Sequence, residues 1–89
     1  IAPHNPLHAL STAACLQIDA CCPNFIIQER GSLGEGLLKQ PFVVKDGYFD
    51  IPTGPGMGVE VDEEKLYAMT WEDWVTPRLW HEDGSVADW

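Results

Sequence analysis

Three consecutive apolar residues, Phe25, Ile26 and Ile27, constrain the fold of this chain more than any other feature. All three residue types favour strands, and none of them alternates with a polar residue. An unbroken apolar run is typical of a strand covered on both faces, as in a parallel sheet flanked by helices. A chain of 89 residues buries only about 60–65% of its unfolded surface, which is too little to build such a sheet. The sequence therefore predicts an α/β fold of which this chain forms one piece.

The segment before this run is predicted to be a helix over residues 11–22. Ser11 or Thr12 can cap its start, and Pro23 cannot continue it. At helical spacing, small and apolar side chains share one face, which suits close packing against a sheet. The residues of that face are Ala14, Ile18, Cys21 and Cys22, with Leu16 and Ala20 close by.

The second half of the chain is predicted to contain a hairpin and a short helix. In FVVKDGYFDI, two β-rich arms flank Asp46-Gly47, which is a strong turn signal. PTGPGMGVEV predicts a rigid turn that leads into a short strand. Asp62 is expected to cap a helix in EEKLYAMT. The glycines of RGSLGEGLLKQP match neither a Walker motif nor a dinucleotide fingerprint, so this stretch is predicted to be a loop.

Charge and cysteine content limit the partners and the compartment. The net charge is −9, with 14 acidic against 5 basic residues, and no basic stripe exists for nucleic acid. No apolar run approaches the roughly 20 residues of a membrane-spanning helix, so no membrane partner is expected. Cys15, Cys21 and Cys22 fit neither a disulfide framework nor zinc spacing. They are predicted to be reduced thiols packed in the helix, which indicates a cytoplasmic protein.

Four tryptophans crowd the last nineteen residues, namely Trp71, Trp74, Trp80 and Trp89. Such a short segment cannot bury four indole rings by itself. Two interpretations stay open: a non-catalytic interaction module with an exposed tryptophan surface, or a piece of a larger protein that covers the rings.

Four stretches of the chain closely resemble the C-terminal end of galactonate dehydratases, a family in the mandelate racemase/muconate lactonizing enzyme branch of the enolase superfamily. The stretches keep the order and spacing of that family and read IAPHNPL, STAACLQIDACCPNFIIQE, GPGMGVEVDEEKL and RLWHEDGSVADW. The GPGMGVEVD motif marks only the wider branch, so another acid-sugar dehydratase of that branch is the alternative. His8 is a departure, because the family usually has glycine there.

The resemblance implies that the chain is the C-terminal piece of an enolase-type (β/α)8 barrel. Residues 1–3 would end the seventh strand, 11–22 would form the helix after it, and 24–29 would form the eighth strand. Residues 1–40 would then close the barrel domain. Residues 41–89, with the hairpin and the short helix, would return to a capping domain.

The resemblance also implies a function for the intact protein, which would dehydrate a sugar acid. The expected reaction converts D-galactonate to 2-dehydro-3-deoxygalactonate by removing the α proton and the 3-hydroxyl group. Mg²⁺ would stabilise the enediolate, but its ligands would lie outside this chain. The 89 residues alone are therefore expected to be inactive. The expected partners are a sugar-acid substrate, the N-terminal part of the same enzyme, and further copies in a homo-oligomer.

His4 and Glu29 match the catalytic positions of the family. His4 would be the general base, a role that suits an imidazole because it titrates near neutral pH. In the family an aspartate from the sixth strand orients that ring, upstream of this chain. Glu29 would stabilise the enediolate by donating a hydrogen bond in its protonated form, which the apolar run before it favours by desolvation. The simpler alternatives are an exposed histidine and a solvated glutamate paired with Arg30.

Two other histidines are given lesser roles. His8 is expected to affect the loop geometry more than the chemistry. His81 stands beside Glu82 and Asp83, a pattern that could suggest metal ligands. A solvated turn at Asp83-Gly84 explains that pattern better, so no metal ligand is predicted in this chain.

Overall fold

The structure is a computed structural model that describes residues 1–70, 73, 75 and 79–87. The elements in chain order are α1 (Ala9–Cys21), β1 (Val44–Lys45), β2 (Tyr48–Phe49) and α2 (Glu63–Ala68). No helix among these residues is long and apolar enough to span a bilayer. The predictions for Trp71, Trp74 and Trp89 lie outside the described residues.

Helix α1 begins two residues before the predicted start at residue 11. His8 is the N-cap residue, and its carbonyl accepts hydrogen bonds from the amides of Ser11 (2.9 Å) and Thr12 (3.2 Å). The prediction of Ser11 or Thr12 as the cap is therefore wrong. Thr12 does not act as the cap because its hydroxyl group is used in a tertiary contact. It accepts a hydrogen bond from the side chain of Asn5, so it does not bond to the backbone at the start of the helix.

The end of α1 is close to the predicted one. Cys21 is the last helical residue, and Cys22 is extended with a ψ of 111°. Proline at position 23 requires this, because its ring disfavours helical geometry at the residue before it. All three cysteines are free thiols, as predicted. Cys21 is exposed, however, so it is not packed in the way that was predicted.

The buried face of α1 differs from the predicted one. Ile18 is 56% exposed, whereas Leu16 is 5% exposed. The covered side is set by the loop that returns over the start of the helix, where Leu38 is almost fully buried. A side chain at Gly34 would touch both Leu38 and Ala9, which places that loop directly on the helix. The buried residues of α1 are Ala9, Thr12, Ala13, Leu16 and Asp19.

Residues 1–3 and 24–29, which were predicted to belong to two barrel strands, do not form strands in the structure. Two hydrogen bonds nevertheless join them. The amino group of Ile1 donates to the Asn24 carbonyl, and the Ile26 amide donates to the Ile1 carbonyl at 2.9 Å. In a parallel pair of strands, one residue forms hydrogen bonds to the two residues on either side of the residue that faces it. Here Ile1 bonds to Asn24 and Ile26, so it faces Phe25 in a parallel pairing.

The apolar run lacks the cover that a central strand has. Phe25, Ile26 and Ile27 are 40%, 79% and 64% exposed. Among the described residues, only the segment at Ile1 pairs with this run. Two paired segments do not cover both faces of the run as a larger sheet with helices would. The expectation that this chain cannot bury the run by itself is therefore confirmed.

The predicted hairpin is confirmed. Strands β1 and β2 are antiparallel, with Val44 opposite Phe49. The two turn residues, Asp46 and Gly47, have φ angles of 52° and 83°. Positive φ at both positions is the type I′ geometry that matches the twist of the two strands.

The cap of α2 is also confirmed. The Asp62 side chain accepts a hydrogen bond from the Lys65 amide at 3.2 Å. The short strand expected before this helix is reduced to one antiparallel bridge between Leu38 and Val61. Flanking hydrogen bonds run from the Lys39 amide to Glu60 and from the Asp62 amide to Leu37. The 36–40 loop is thereby attached to the segment that enters α2.

Candidate active site

The parallel pairing near the start of the chain sets the geometry of the candidate site. Because Ile1 faces Phe25, residues four further along each segment, Asn5 and Glu29, face each other. His4 and Glu29 therefore leave the paired segments at the same end. In parallel α/β folds, this carboxyl end is where functional groups gather.

The two residues predicted to act in catalysis are in contact. His4 Nδ1 lies 2.9 Å from Glu29 Oε2. The side chain of His4 is 82% exposed and that of Glu29 is 48% exposed. In the described residues Glu29 contacts His4, and no ion pair joins it to Arg30, the partner of the simpler alternative.

The contact has a chemical direction. A carboxylate oxygen accepts hydrogen bonds, so Nδ1 of His4 must carry the hydrogen. In the neutral ring the lone pair then lies on Nε2, which is the nitrogen able to accept a proton. The pair can therefore act as a base held in one tautomer by an acidic neighbour.

Two residues that the sequence analysis missed support Glu29. The Asn5 amide donates to Glu29 Oε2 at 2.6 Å, and its side-chain Nδ2 donates to Thr12 Oγ1 at 2.9 Å. Asn5 and Thr12 are both fully buried. The signal that could have drawn attention to them is a threonine, a poor helix former, placed inside a helix.

The other two histidines have structural roles in the described residues. His8 caps α1 through its backbone and makes no side-chain cap bond. His81 begins a turn in which the Gly84 amide donates to its carbonyl at 3.0 Å, as the solvated-turn interpretation predicted. Asp83 accepts hydrogen bonds from the hydroxyl and amide of Ser85, which lower the pKa of the Asp83 carboxyl.

A magnesium ion has definite ligand requirements. Mg²⁺ takes an octahedral set of oxygen ligands, usually with one or two carboxylates directly bound. No cluster of three or more histidine, cysteine, aspartate or glutamate side chains suited to a metal occurs within the described ranges. At the candidate site Glu29 is the lone carboxylate described, and one of its oxygens already accepts two hydrogen bonds.

Comparison with known proteins shows the family of the chain. The family described as "Enolase C-terminal domain-like" matches residues 1–65. The chain is also 40% identical, over 101 aligned positions, to a protein of Cronobacter sakazakii (strain ATCC BAA-894) described as "D-galactonate dehydratase". That alignment covers 100% of this chain and 26% of the relative, so the chain spans about a quarter of its length. Because the family match covers well over half of the chain, this protein belongs to the enolase C-terminal domain-like family.

Proposed function

We propose that this chain supplies an acid–base pair, His4 and Glu29, to a sugar-acid dehydratase that acts on D-galactonate. The observation that carries the proposal is the 2.9 Å contact between His4 Nδ1 and Glu29 Oε2. The similarity to a relative described as D-galactonate dehydratase supports the choice of reaction and substrate.

In the proposed reaction His4 acts first. Its Nε2 lone pair takes the proton from the carbon next to the substrate carboxylate, and the electrons of that C–H bond form an enediolate. Glu29 holds Nδ1–H throughout, so the ring keeps the tautomer that leaves Nε2 free. In the other tautomer, Nε2 would carry the hydrogen and present an N–H group to the substrate, so it could not accept the proton.

Glu29 has a second part in the proposed reaction. Its Oε2 atom is engaged by His4 and by the backbone, whereas no hydrogen bond to Oε1 was found among the described residues. In the protonated acid, Oε1–H donates to the enediolate oxygen as negative charge develops there. The C3–O bond then breaks, and the hydroxyl leaves as water with a proton from an acid outside these residues. The resulting enol takes up a proton at C3 to give the 2-keto-3-deoxy acid.

The cofactor belongs to the proposal as well. Mg²⁺ would be held by residues outside this chain, as the resemblance to the family implies. Another sugar-acid dehydratase of the same branch is the second candidate, since the family match reaches the wider superfamily.

The proposal is tested in the full-length protein, assayed with Mg²⁺ against a panel of sugar acids. We expect His4→Asn to lower kcat by about 10²–10⁴-fold and to abolish exchange of the C2 hydrogen with deuterated solvent. Mg²⁺ binding, measured by calorimetry, should be unchanged.

His8→Asn is the matched control, because His8 is exposed and makes no side-chain cap bond. It should retain activity. Turnover retained in His4→Asn would contradict the base assignment. A wild-type protein that dehydrates none of the acids would contradict the function and favour a non-catalytic module.

A further inference from the structure

We propose that Asn5 and Thr12 are positioning residues that fix which oxygen of Glu29 can face a substrate, an inference that rests on the proposed function. Asn5 is fully buried although its neighbours His4 and Pro6 are exposed. Its side chain points inward to α1, where it meets the hydroxyl of the fully buried Thr12. A buried contact between two polar side chains fixes both of them, since breaking it would leave unpaired groups away from water.

The orientation of the Asn5 amide is determined by its partners. Its Nδ2 atom lies 2.9 Å from Thr12 Oγ1 and 3.5 Å from the Glu29 carbonyl oxygen. A carbonyl can only accept a hydrogen bond, so the amide nitrogen faces it. Asn5 therefore connects α1 to the backbone of Glu29 as well as to its carboxyl group.

The carboxyl contact selects between the two oxygens of Glu29. Oε2 accepts the Asn5 amide at 2.6 Å and also contacts His4 Nδ1 at 2.9 Å. An oxygen that already accepts two N–H groups is the poorer place for a proton. When Glu29 is protonated, the hydrogen therefore lies on Oε1. The Asn5 amide, with its side chain anchored by Thr12, thereby leaves Oε1 of Glu29 as the oxygen that can carry the O–H donor.

The inference distinguishes a positioning role from a stabilising one. If Thr12 only stabilised the fold, its loss would lower the melting temperature and leave the rate of the folded enzyme unchanged. If it positions Glu29, its loss must lower kcat in a protein that still folds, because a displacement of about 1 Å can cost 10²-fold in rate.

The test uses Thr12→Val, which keeps the shape and removes the hydroxyl, with Thr12→Ser as the control that keeps the hydroxyl. Both are made in the full-length protein. We expect Thr12→Val to lower kcat by about 10- to 100-fold with less than about a twofold change in KM. Thr12→Ser should retain most of the wild-type kcat. An unchanged kcat in folded Thr12→Val, or an equal loss in Thr12→Ser, would overturn the proposal.

Crystal structures of the wild type and Thr12→Val give a second readout that needs no activity. We expect the Asn5 amide and Glu29 Oε2 to separate beyond hydrogen-bond distance in the variant. A Glu29 carboxyl in an unchanged position would overturn the positioning role even if the wild type dehydrates no sugar acid. Inactive wild-type protein with a displaced Glu29 in Thr12→Val would instead contradict the function and uphold the positioning.

Discussion

Asp19 carries a buried carboxyl group with no hydrogen-bond donor in the described part of the chain. The residue is 7% exposed, and both of its side-chain oxygens lack a partner. Burial raises the pKa of the Asp19 carboxyl. Its place in the last turn of α1, where the helix carbonyls point, is also unfavourable for a negative charge.

The raised pKa predicts how Asp19 affects stability. The folded state binds the proton more tightly than the unfolded state, so the contribution of Asp19 is most favourable below the unfolded value of 3.8. It declines as the pH rises through the window between that value and the raised folded pKa. Asp19→Asn should therefore be more stable than the wild type at pH 7 and lose this advantage toward pH 3.

The check is the urea midpoint of the full-length protein across this pH range. Asp50→Asn, at an exposed aspartate, is the matched control and should not change the pH dependence in this way. An Asp19→Asn protein whose midpoint follows the wild type at every pH would contradict the assignment of an unfavourable buried charge.

At the scale of elements, local chemistry was predictable and tertiary contacts were not. The Asp46-Gly47 turn and the Asp62 cap depend on residues within a few positions, so the sequence alone predicted them correctly. The start and the buried face of α1 depend on the Asn5 side chain and on the loop around Leu38, which no periodicity within the helix can reveal.

The same difference between local chemistry and tertiary contacts applies to the candidate site. His4 and Glu29 were found through resemblance to a family, and no pattern of spacing within the chain indicates that they touch. Their contact requires the parallel pairing between residues 1 and 25, which lie far apart in sequence. Asn5 and Thr12 were missed because their roles exist only after α1 has packed beside that pairing.

A close approach of two loops gives a prediction at the element scale. The Ser32 amide donates to the Leu7 carbonyl at 3.2 Å, and a Cβ atom on Gly31 would lie 1.9 Å from that same carbonyl oxygen. Gly31→Ala must push the loops apart and should destabilise the full-length protein by about 1–3 kcal/mol. Gly54→Ala is the control, because a Cβ atom there meets its nearest neighbour at 3.4 Å.

Equilibrium denaturation of the two glycine variants measures the effect. Because Leu7 lies three residues after His4 and Gly31 two residues after Glu29, moving the loops apart in Gly31→Ala should also reduce kcat, whereas Gly54→Ala should not. Equal stability of Gly31→Ala and the wild type would show that the two loops do not approach so closely.

As a whole, the molecule exposes more surface than a compact domain of its size. Its accessible surface is 7436 Å², against about 5,200 Å² for a folded monomer of the same mass. Its radius of gyration is 16.6 Å, against about 12 Å for a compact domain of this length. The buried apolar residues of the described part are few, namely Ala9, Ala13, Leu16 and Leu38.

This surface excess predicts the behaviour of the isolated 89 residues. A core of this size cannot offset the conformational entropy lost on folding, so the peptide should be unfolded or aggregated. Circular dichroism on heating should show no cooperative transition, and calorimetry no sharp peak. A sharp and reversible melt of soluble monomer would contradict this and support a free-standing interaction module.

The parallel pairing of Ile1 with Phe25 also bears on the order in which the molecule folds. The two residues are 24 positions apart, and α1 takes up 13 of the residues between them. Closing a flexible loop of this length costs about 2–3 kcal/mol in entropy, and a formed helix shortens the part of the path that remains flexible. The segments bearing His4 and Glu29 can therefore meet soon after α1 forms, without waiting for the bridge between Leu38 and Val61. We therefore expect the acid–base pair to assemble early in folding.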